Sequence, residues 1–327
     1  MATYHLEKMS HGAISKLDPA RTAVVVAISP LEVHGPHLPV GQDLFEATAL
    51  MNGTVKAVAK TRTDWDFLML PPIPVATDCV PALGSVSYPA TLVRQVAYHA
   101  LLPFAKAGFA RLAYSSFHGG PRHICALEDA ADRLPRRTGA AAMSLFSAVV
   151  ARAVEGNFFF DGIAGRKDRR IELDQVKQDH HAGFIETSLA LHLWPDLVDD
   201  GWQSLPHSVA DPGDAGAKGN RAFFFGYTDQ AGLAERVARN VARVRSVVRG
   251  IRHFRTSTYF GYPNLASAAQ GKALFAHVVG ACAEIVGEFL DRGREMDGHS
   301  PLWPAKDLFL SAPVNKVVDD WLKVFSE

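Results

Sequence analysis

Three potential metal ligands, Glu32, His34 and Asp43, fall within the short stretch Glu32-Val33-His34-Gly35-Pro36-His37-Leu38-Pro39-Val40-Gly41-Gln42-Asp43. Glu32 and His34 are two residues apart, so in an extended segment a carboxylate and an imidazole point the same way. The glycines and prolines after them favour a rigid turn over a helix and return Asp43 toward the same place. A second histidine, His118, sits in Phe117-His118-Gly119-Gly120-Pro121, where two glycines let the backbone pass close to a ligand or metal. A third stretch, Asp179-His180-His181-Ala182-Gly183-Phe184-Ile185-Glu186-Thr187-Ser188, puts Glu186 early in a helix that is apolar nearly all round. A buried carboxylate needs a partner, and a cation would provide one.

The elements that must position these residues can be read from the apolar pattern. Ala23 to Ile28 reads as a buried strand, so Glu32, His34 and Asp43 lie just past its carboxyl end, where open α/β sheets keep their sites. A helix is expected over Leu44 to Ala59, and Asp43 at its start also has the type of a capping residue. Phe67 to Val75 reads as a strand that leaves the sheet through Pro71, Pro72 and Pro74, and Ala76 to Pro89 as a turn-rich region bordering a site. A helix from Thr91 to Gly108 with Thr91 as cap, a strand from Arg111 to Ser116 and a helix from Arg122 to Leu134 repeat the strand, loop, helix logic. A further strand is expected over Ala140 to Phe146. This alternation predicts an α/β class with a layered, mostly parallel central sheet.

The carboxyl-terminal half is less regular. Asn157 to Gln178, with Arg166-Lys167-Asp168-Arg169-Arg170, reads as a solvated loop or a lid or subunit contact, and Phe158, Phe159 and Phe160 give it a packing role. Asp199 to Gly226 reads as loop, with Lys218 and Arg221 as candidate substrate contacts. Spacings of three and four predict a helix from Gly232 to His253 with an arginine-rich outer face, and a long helix follows from Ala266 to Leu290, with breaks open at Gly271 and Gly280. The expected organisation is one domain over 1–299 and a tail over 300–327 that serves as an oligomer arm.

Composition narrows the class. With 327 residues, 48% hydrophobic and 21% charged, the chain has the make-up of a globular enzyme. A formal net charge of zero and a pI near 7.3 give no electrostatic case for nucleic acid or an anionic membrane. The three cysteines are far apart and form no CxxC pair, which favours a reduced compartment, and the cytoplasm is the expected location. No signal peptide or membrane span is expected. The two glycines after His118 do not form GxGxxG, and no Gly-x-Ser-x-Gly elbow surrounds Ser115 or Ser116, so a dinucleotide site and a serine nucleophile are set aside.

Taken together, Glu32, His34, Asp43, His118 and Glu186 are two imidazoles and three carboxylates. Mixed nitrogen and oxygen donors suit Zn²⁺, Mn²⁺ or Fe²⁺. Five ligands exceed one open catalytic zinc and fit two divalent metal ions if one carboxylate bridges. Water or hydroxide between two cations is a nucleophile near neutral pH, and His181 is the candidate acid or base that gives a proton to a leaving nitrogen. His181 and Glu186 are thus the candidate catalytic residues, Glu186 being counted among the metal ligands as well. His37 and Asp179 are candidates for hydrogen bonding to ligands.

These three motifs resemble the signature motifs of the creatininase (creatinine amidohydrolase) family, and Gly261-Tyr262-Pro263-Asn264 is similar to a fourth, weaker one. The resemblance covers roughly residues 10 to 290. It implies a three-layer α/β/α fold, a homo-oligomer that in this family is often a hexamer, and a two-metal site hydrolysing C–N bonds of cyclic or linear amides. It also implies that Glu32, Asp43 and His118 hold one metal and His34, Asp43 and Glu186 the other, with Asp43 bridging. Creatininase proper has a glutamate ligand where this chain has Gly120, whereas branches that include formamide hydrolases and mycofactocin peptide-processing enzymes have His-Gly-Gly as here; Glu186 is the natural replacement. The family's tryptophans over the substrate have no counterpart between Phe146 and Phe184, and its usual Phe-Pro-Gly-Thr segment is Ala82-Leu83-Gly84-Ser85. The expected substrate is therefore a small-molecule or short-peptide amide other than creatinine. The alternative is a non-hydrolytic family member that binds a metal or ligand and acts in assembly.

Overall fold

Residues Ala23 to Ile28 alternate between two apolar layers, and this alternation builds the molecule. Ala23, Val25 and Ala27 pack into one core cluster, and Val24, Val26 and Ile28 into another on the opposite side of the sheet. The computed structural model describes residues 2–154, 157–209, 252–254, 256–296 and 298–322. In chain order the main elements begin with β1 (Thr3–His5), β2 (Thr22–Ala27), α1 (Gln42–Val58), β3 (Asp66–Met69), α2 (Ala90–Lys106) and β4 (Arg111–Ser115). They continue with α3 (Pro121–Thr138), β5 (Ala141–Ser144), α4 (Leu145–Val154), α5 (Phe184–Leu193), α6 (Ala268–Arg292) and α7 (Ala312–Leu322).

The strands form one sheet in the order β1-β3-β2-β4-β5, with every pairing parallel. Each crossover passes a helix over a face, so both faces are covered. Helices α1, α4, α5 and α6 fill one side with residues such as Leu50, Val149, Leu189 and Val278. Helices α2 and α3 fill the other with Leu101, Leu127 and Leu134. This is the α/β/α arrangement expected from the sequence, with β1 added at one edge.

Several boundaries move for physical reasons. Helix α1 begins at Gln42, so Asp43 lies inside its first turn, and Gly41 holds the cap position without a side-chain bond. The capping reading of Asp43 is thereby replaced: its carboxylate faces two imidazoles instead. Pro89, not Thr91, precedes α2. Strand β3 stops at Met69, before the prolines that cannot donate to the ladder. Strand β5 stops at Ser144, and Leu145 already belongs to α4. Helix α6 runs unbroken through Gly271 and Gly280, and its Leu274, Val278, Cys282 and Ile285 are core residues. It is long and apolar enough to cross a membrane, but here it is a packed core helix. The segment 157–178 includes two short helices, and its three phenylalanines pack against the core. The helix expected over 232–253 lies almost wholly outside the described residues, as do Lys218 and Arg221.

The carboxyl-terminal segment folds back on α3 of its own chain. The main-chain N–H of Ser300 donates to Glu128 (2.5 Å), and the Arg122 guanidinium donates through one nitrogen, Nη1, to Asp319 (2.7 Å) and to the Asn315 side chain (3.1 Å). Arg122 is 1% exposed and also binds Asp78 through its main-chain N–H (2.7 Å) and Nε (2.5 Å).

Candidate metal centre

The loops after β2 and β4 and the starts of α1 and α5 deliver Glu32, His34, Asp43, His118 and Glu186 to one buried place past the carboxyl ends of the central strands. Sequence predicted each of these five residues, and all five are brought together. The His34 ring points Nδ1 at the Glu32 carbonyl (2.9 Å) and Nε2 at Asp43 Oδ1 (2.9 Å), with Glu186 Oε2 3.8 Å from the same nitrogen. His118 is held in the converse sense. Its Nε2 faces the Thr77 carbonyl (2.8 Å), and its Nδ1 faces Asp43 Oδ2 (2.9 Å) and Glu32 Oε2 (3.0 Å).

Asp43 therefore divides its two oxygens between two groups of donors, His34 with Glu186 on one side and His118 with Glu32 on the other. The first turn of α1 makes this possible, because Asp43 rides on a rigid helix whose entry is fixed by the Pro39-to-Gly41 turn. Among the described residues, three clusters have ligand atoms close enough to share a cation: His34, Asp43 and Glu186; Glu32, Cys79 and His118; and Glu32, His34 and His181.

The donor chemistry fits cations. A carbonyl oxygen only accepts, so the imidazole nitrogen facing it carries the proton, and in a neutral ring the other nitrogen presents a lone pair. For both His34 and His118 that second nitrogen faces carboxylate oxygens, which are acceptors too. Such a contact needs either a second proton on each ring or a cation between the partners. Spacings near 3 Å are also those between neighbouring ligands around a cation with bonds of roughly 2.1 Å. Glu32 is anchored through Oε1 by the Val80 N–H (2.6 Å), while its buried Oε2 has, among the described residues, only His118 Nδ1 (3.0 Å) to face.

Electrostatics tell the same story. Burial pushes the His34 pKa down, but Asp43, Glu186 and Glu32 overcome it and raise it to about 10. His118 is likewise raised well above the usual imidazole range against its burial, by Glu32 and Asp43. Burial acts to raise Asp43, yet His34 and His118 hold it below the usual carboxylate range. Burial raises Glu186 to about 8 despite His34. Three carboxylates crowded into an interior site demand positive charge.

His181 lies against this cluster. Its ring centroid is 4.2 Å from that of His34, and its Nε2 donates to the Val33 carbonyl (2.9 Å), which leaves Nδ1 as the free acceptor. Burial, with the neighbouring His34, lowers its pKa to about 4, so the ring is neutral. Glu186 Oε2 also accepts from the Ala182 N–H, which ties the carboxylate to the turn that carries His181.

Among the described residues, Asp179 and His37 bond to none of these five side chains. Asp179 is spent on backbone: Oδ1 accepts from Phe184 (2.7 Å) and Tyr262 (3.0 Å), Oδ2 from Ile185 (2.9 Å). It thus fastens the positive end of α5 to the Gly261-Tyr262 turn. A Cβ on Gly183 or Gly261 would come within 2.0 or 2.1 Å of its Oδ1, so both glycines are required for this approach. His37 Nε2 meets the Thr187 hydroxyl (2.8 Å), bracing α5 one residue from Glu186.

Sequence reading missed three neighbours. Cys79 lies beside Glu32 and His118, and burial and Glu32 raise its thiol well above the usual range, which favours the protonated form. Thr77 supplies the carbonyl that orients His118. Glu46 is buried one turn from Asp43, accepts from Gln42 (2.9 Å), and is pushed well above the usual carboxylate range by burial, Glu186 and Asp43. The spacing of three on α1 was the available signal for Glu46. Gly120, where creatininase proper has a glutamate, has no room: a Cβ there would lie 2.6 Å from His118 Nε2 and 2.7 Å from the Asp78 Cβ.

Comparison with known proteins shows the family. The creatininase family model, described as creatinine amidohydrolase, matches residues 7–286, and the chain belongs to the creatininase family. It is an enzyme of the hydrolase class acting on C–N amide bonds. Among curated proteins it is similar to a mycofactocin precursor peptide peptidase of Mycolicibacterium smegmatis, 26% identical over 80% of this chain and 83% of the other. Among solved structures it resembles a Bacteroides fragilis protein assigned as a creatinine amidohydrolase, with 17% identity, a TM-score of 0.59, and 90% and 98% of the two chains covered. It also resembles creatininase, with 17% identity, a TM-score of 0.53, and 88% and 97% coverage. Creatininase structures of this group are described as manganese and zinc forms.

Proposed function

We propose that this protein is a two-metal amidohydrolase in which Glu32, Asp43 and His118 hold one divalent cation, His34, Asp43 and Glu186 hold the other, and Asp43 bridges. The observation that carries the reading is the division of the two Asp43 oxygens between His34 and His118, both at 2.9 Å. Bound Zn²⁺, Mn²⁺ or Fe²⁺ would supply Lewis acidity toward an amide carbonyl and toward water.

The chain's own residues supply the rest. Thr77 and the Glu32 carbonyl fix which nitrogen of each imidazole faces the centre. His181, neutral and with Nδ1 free, accepts a proton from the attacking water and passes it to the departing nitrogen. The water oxygen bonds to the carbonyl carbon, the C–N bond breaks, and the amine leaves with the protons that water brought. Glu186, set between His34 and the Ala182 N–H and raised by burial to about 8, would carry its negative charge beside this transfer once the second cation is bound. Cytoplasmic placement suits the three free buried cysteines. A homo-oligomer, with the segment beyond residue 300 at a contact between copies, is part of the same reading.

The test is elemental analysis of the purified protein together with two variants. Two metals per chain and loss of activity on chelation are expected. His181→Ala should retain both metals and lose roughly 10²- to 10⁴-fold in kcat. Glu186→Ala should lose one metal, and an unchanged two-metal content would sink the ligand assignment.

A further inference from the structure

A cavity of about 120 Å³ opens beside His181 and Glu186. Its walls come from the end of β4, from α4, from the 157–178 segment and from α5. They are apolar: Phe117, Phe146, Val149, Phe158, Val176 and Ile185 are representative, and Phe159 and Phe160 extend the aromatic side. Phe117 and Phe146 pack with ring centroids 5.6 Å apart and form one wall. A small polar ring would leave this surface in contact with water.

One cation interrupts the apolar lining. Among the described residues Lys177, half-buried, is the only lysine or arginine on the pocket wall and has no ion-pair partner. The acidic groups nearby are otherwise engaged. Both Asp179 oxygens accept backbone N–H bonds, and Glu186 faces His34. An ammonium on the rim of an apolar pocket suits a ligand that is apolar in the middle and anionic at one end.

We infer that the substrate is an N-acyl derivative of a large apolar amino acid, aromatic for preference, with its carboxylate free. The side chain fills the phenylalanine-lined pocket, the carboxylate meets Lys177, and the scissile amide lies at His181 and Glu186. This rests on the amidohydrolase reading. Hydrolysis adds water across the C–N bond and releases the acyl carboxylate and the amino acid, with no other reactant.

The experiment uses the full chain loaded with Mn²⁺ and four probes: N-acetyl-L-phenylalanine, N-acetyl-L-phenylalaninamide, N-acetylglycine and creatinine. The phenylalanine derivative should exceed N-acetylglycine by roughly 30-fold in kcat/KM, the value of burying one aromatic side chain. It should exceed its carboxamide by roughly fivefold, the value of a partly exposed ion pair, and Lys177→Met should erase that second preference while Lys177→Arg keeps it. Equal rates for the phenylalanine and glycine derivatives, or a preference for creatinine, would overturn this inference and leave the amidohydrolase reading intact. If a protein carrying two metals hydrolyses none of the four, the substrate class is overturned, and the amidohydrolase reading stands or falls by its own metal and chelation test. Calorimetry then decides the pocket alone: 3-phenylpropanoate binding, weakened in Lys177→Met, upholds it, and binding no tighter than acetate overturns it.

Discussion

Two buried charge clusters stand close together in this fold and solve the same problem differently. Around Arg122, one permanent cation faces two carboxylates, and every oxygen named there meets an N–H: Asp78 takes the Arg122 main chain and Nε, and Asp319 takes Nη1. Around Asp43, carboxylate oxygens face imidazole nitrogens that meet them only with a second proton on each ring or a cation between the partners, because the other nitrogen already donates to a carbonyl. The first cluster carries its own cation in the sequence. The second leaves the positive charge to be supplied, which is how an interior site becomes a binding site instead of a brace.

The sharpest way to break this contrast is Asp43→Asn. The amide keeps the shape but loses the charge on which both proposed cation positions depend. Bound metal should drop from two per chain to none, and activity should fall by more than the roughly 100-fold typical of losing an outer hydrogen-bond partner. The metal-free protein should nonetheless fold, because the substitution relieves crowding among Asp43, Glu32 and Glu186. A variant that kept two metals would mean that Asp43 does not bridge.

Arg122→Met tests the other cluster. Removing the guanidinium strands Asp78 and Asp319 in the interior, and breaking a buried pair costs about 3–5 kcal/mol. Urea denaturation should register that loss equally with and without chelator if the clusters are independent. They are joined, however, by the backbone: Asp78 follows Thr77, whose carbonyl orients His118. Metal affinity should therefore also fall by roughly tenfold. Unchanged affinity would show that the Thr77 carbonyl is held without help from Asp78.

The same contrast explains what sequence could reveal. Glu32, His34, Asp43, His118 and Glu186 were legible because each sits in a stretch with its own local logic: a strand end, a glycine-rich turn or a helix start. Their convergence follows from parallel strands that all end on one side of the sheet. The partners that depend on tertiary approach were not legible. Nothing near Arg122 in the chain announces Asp78 or Asp319, which lie 44 and 197 residues away. Likewise Asp179 looked like a neighbour of the metal ligands, and only the fold shows its carboxylate consumed by the N–H groups of Phe184, Ile185 and Tyr262. Asp43 was read as a possible cap because its place near a helix start is local information; the direction of its oxygens is not.

The smallest effect is expected at the outer end of the Arg122 cluster. Asp319 is partly exposed, its side chain 16% accessible, so water replaces much of what it gives up. Asp319→Asn keeps an acceptor for Nη1 and removes only the charge, while Asp78 still pairs with the guanidinium. The expected cost is about 1 kcal/mol, and metal content should not change, because nothing between Asp319 and His118 moves except through Arg122 itself. If Asp319→Asn instead lowered metal affinity as much as Arg122→Met, α7 would be acting as a latch on the metal centre, and the brace and the binding site would have to be treated as one cooperative unit.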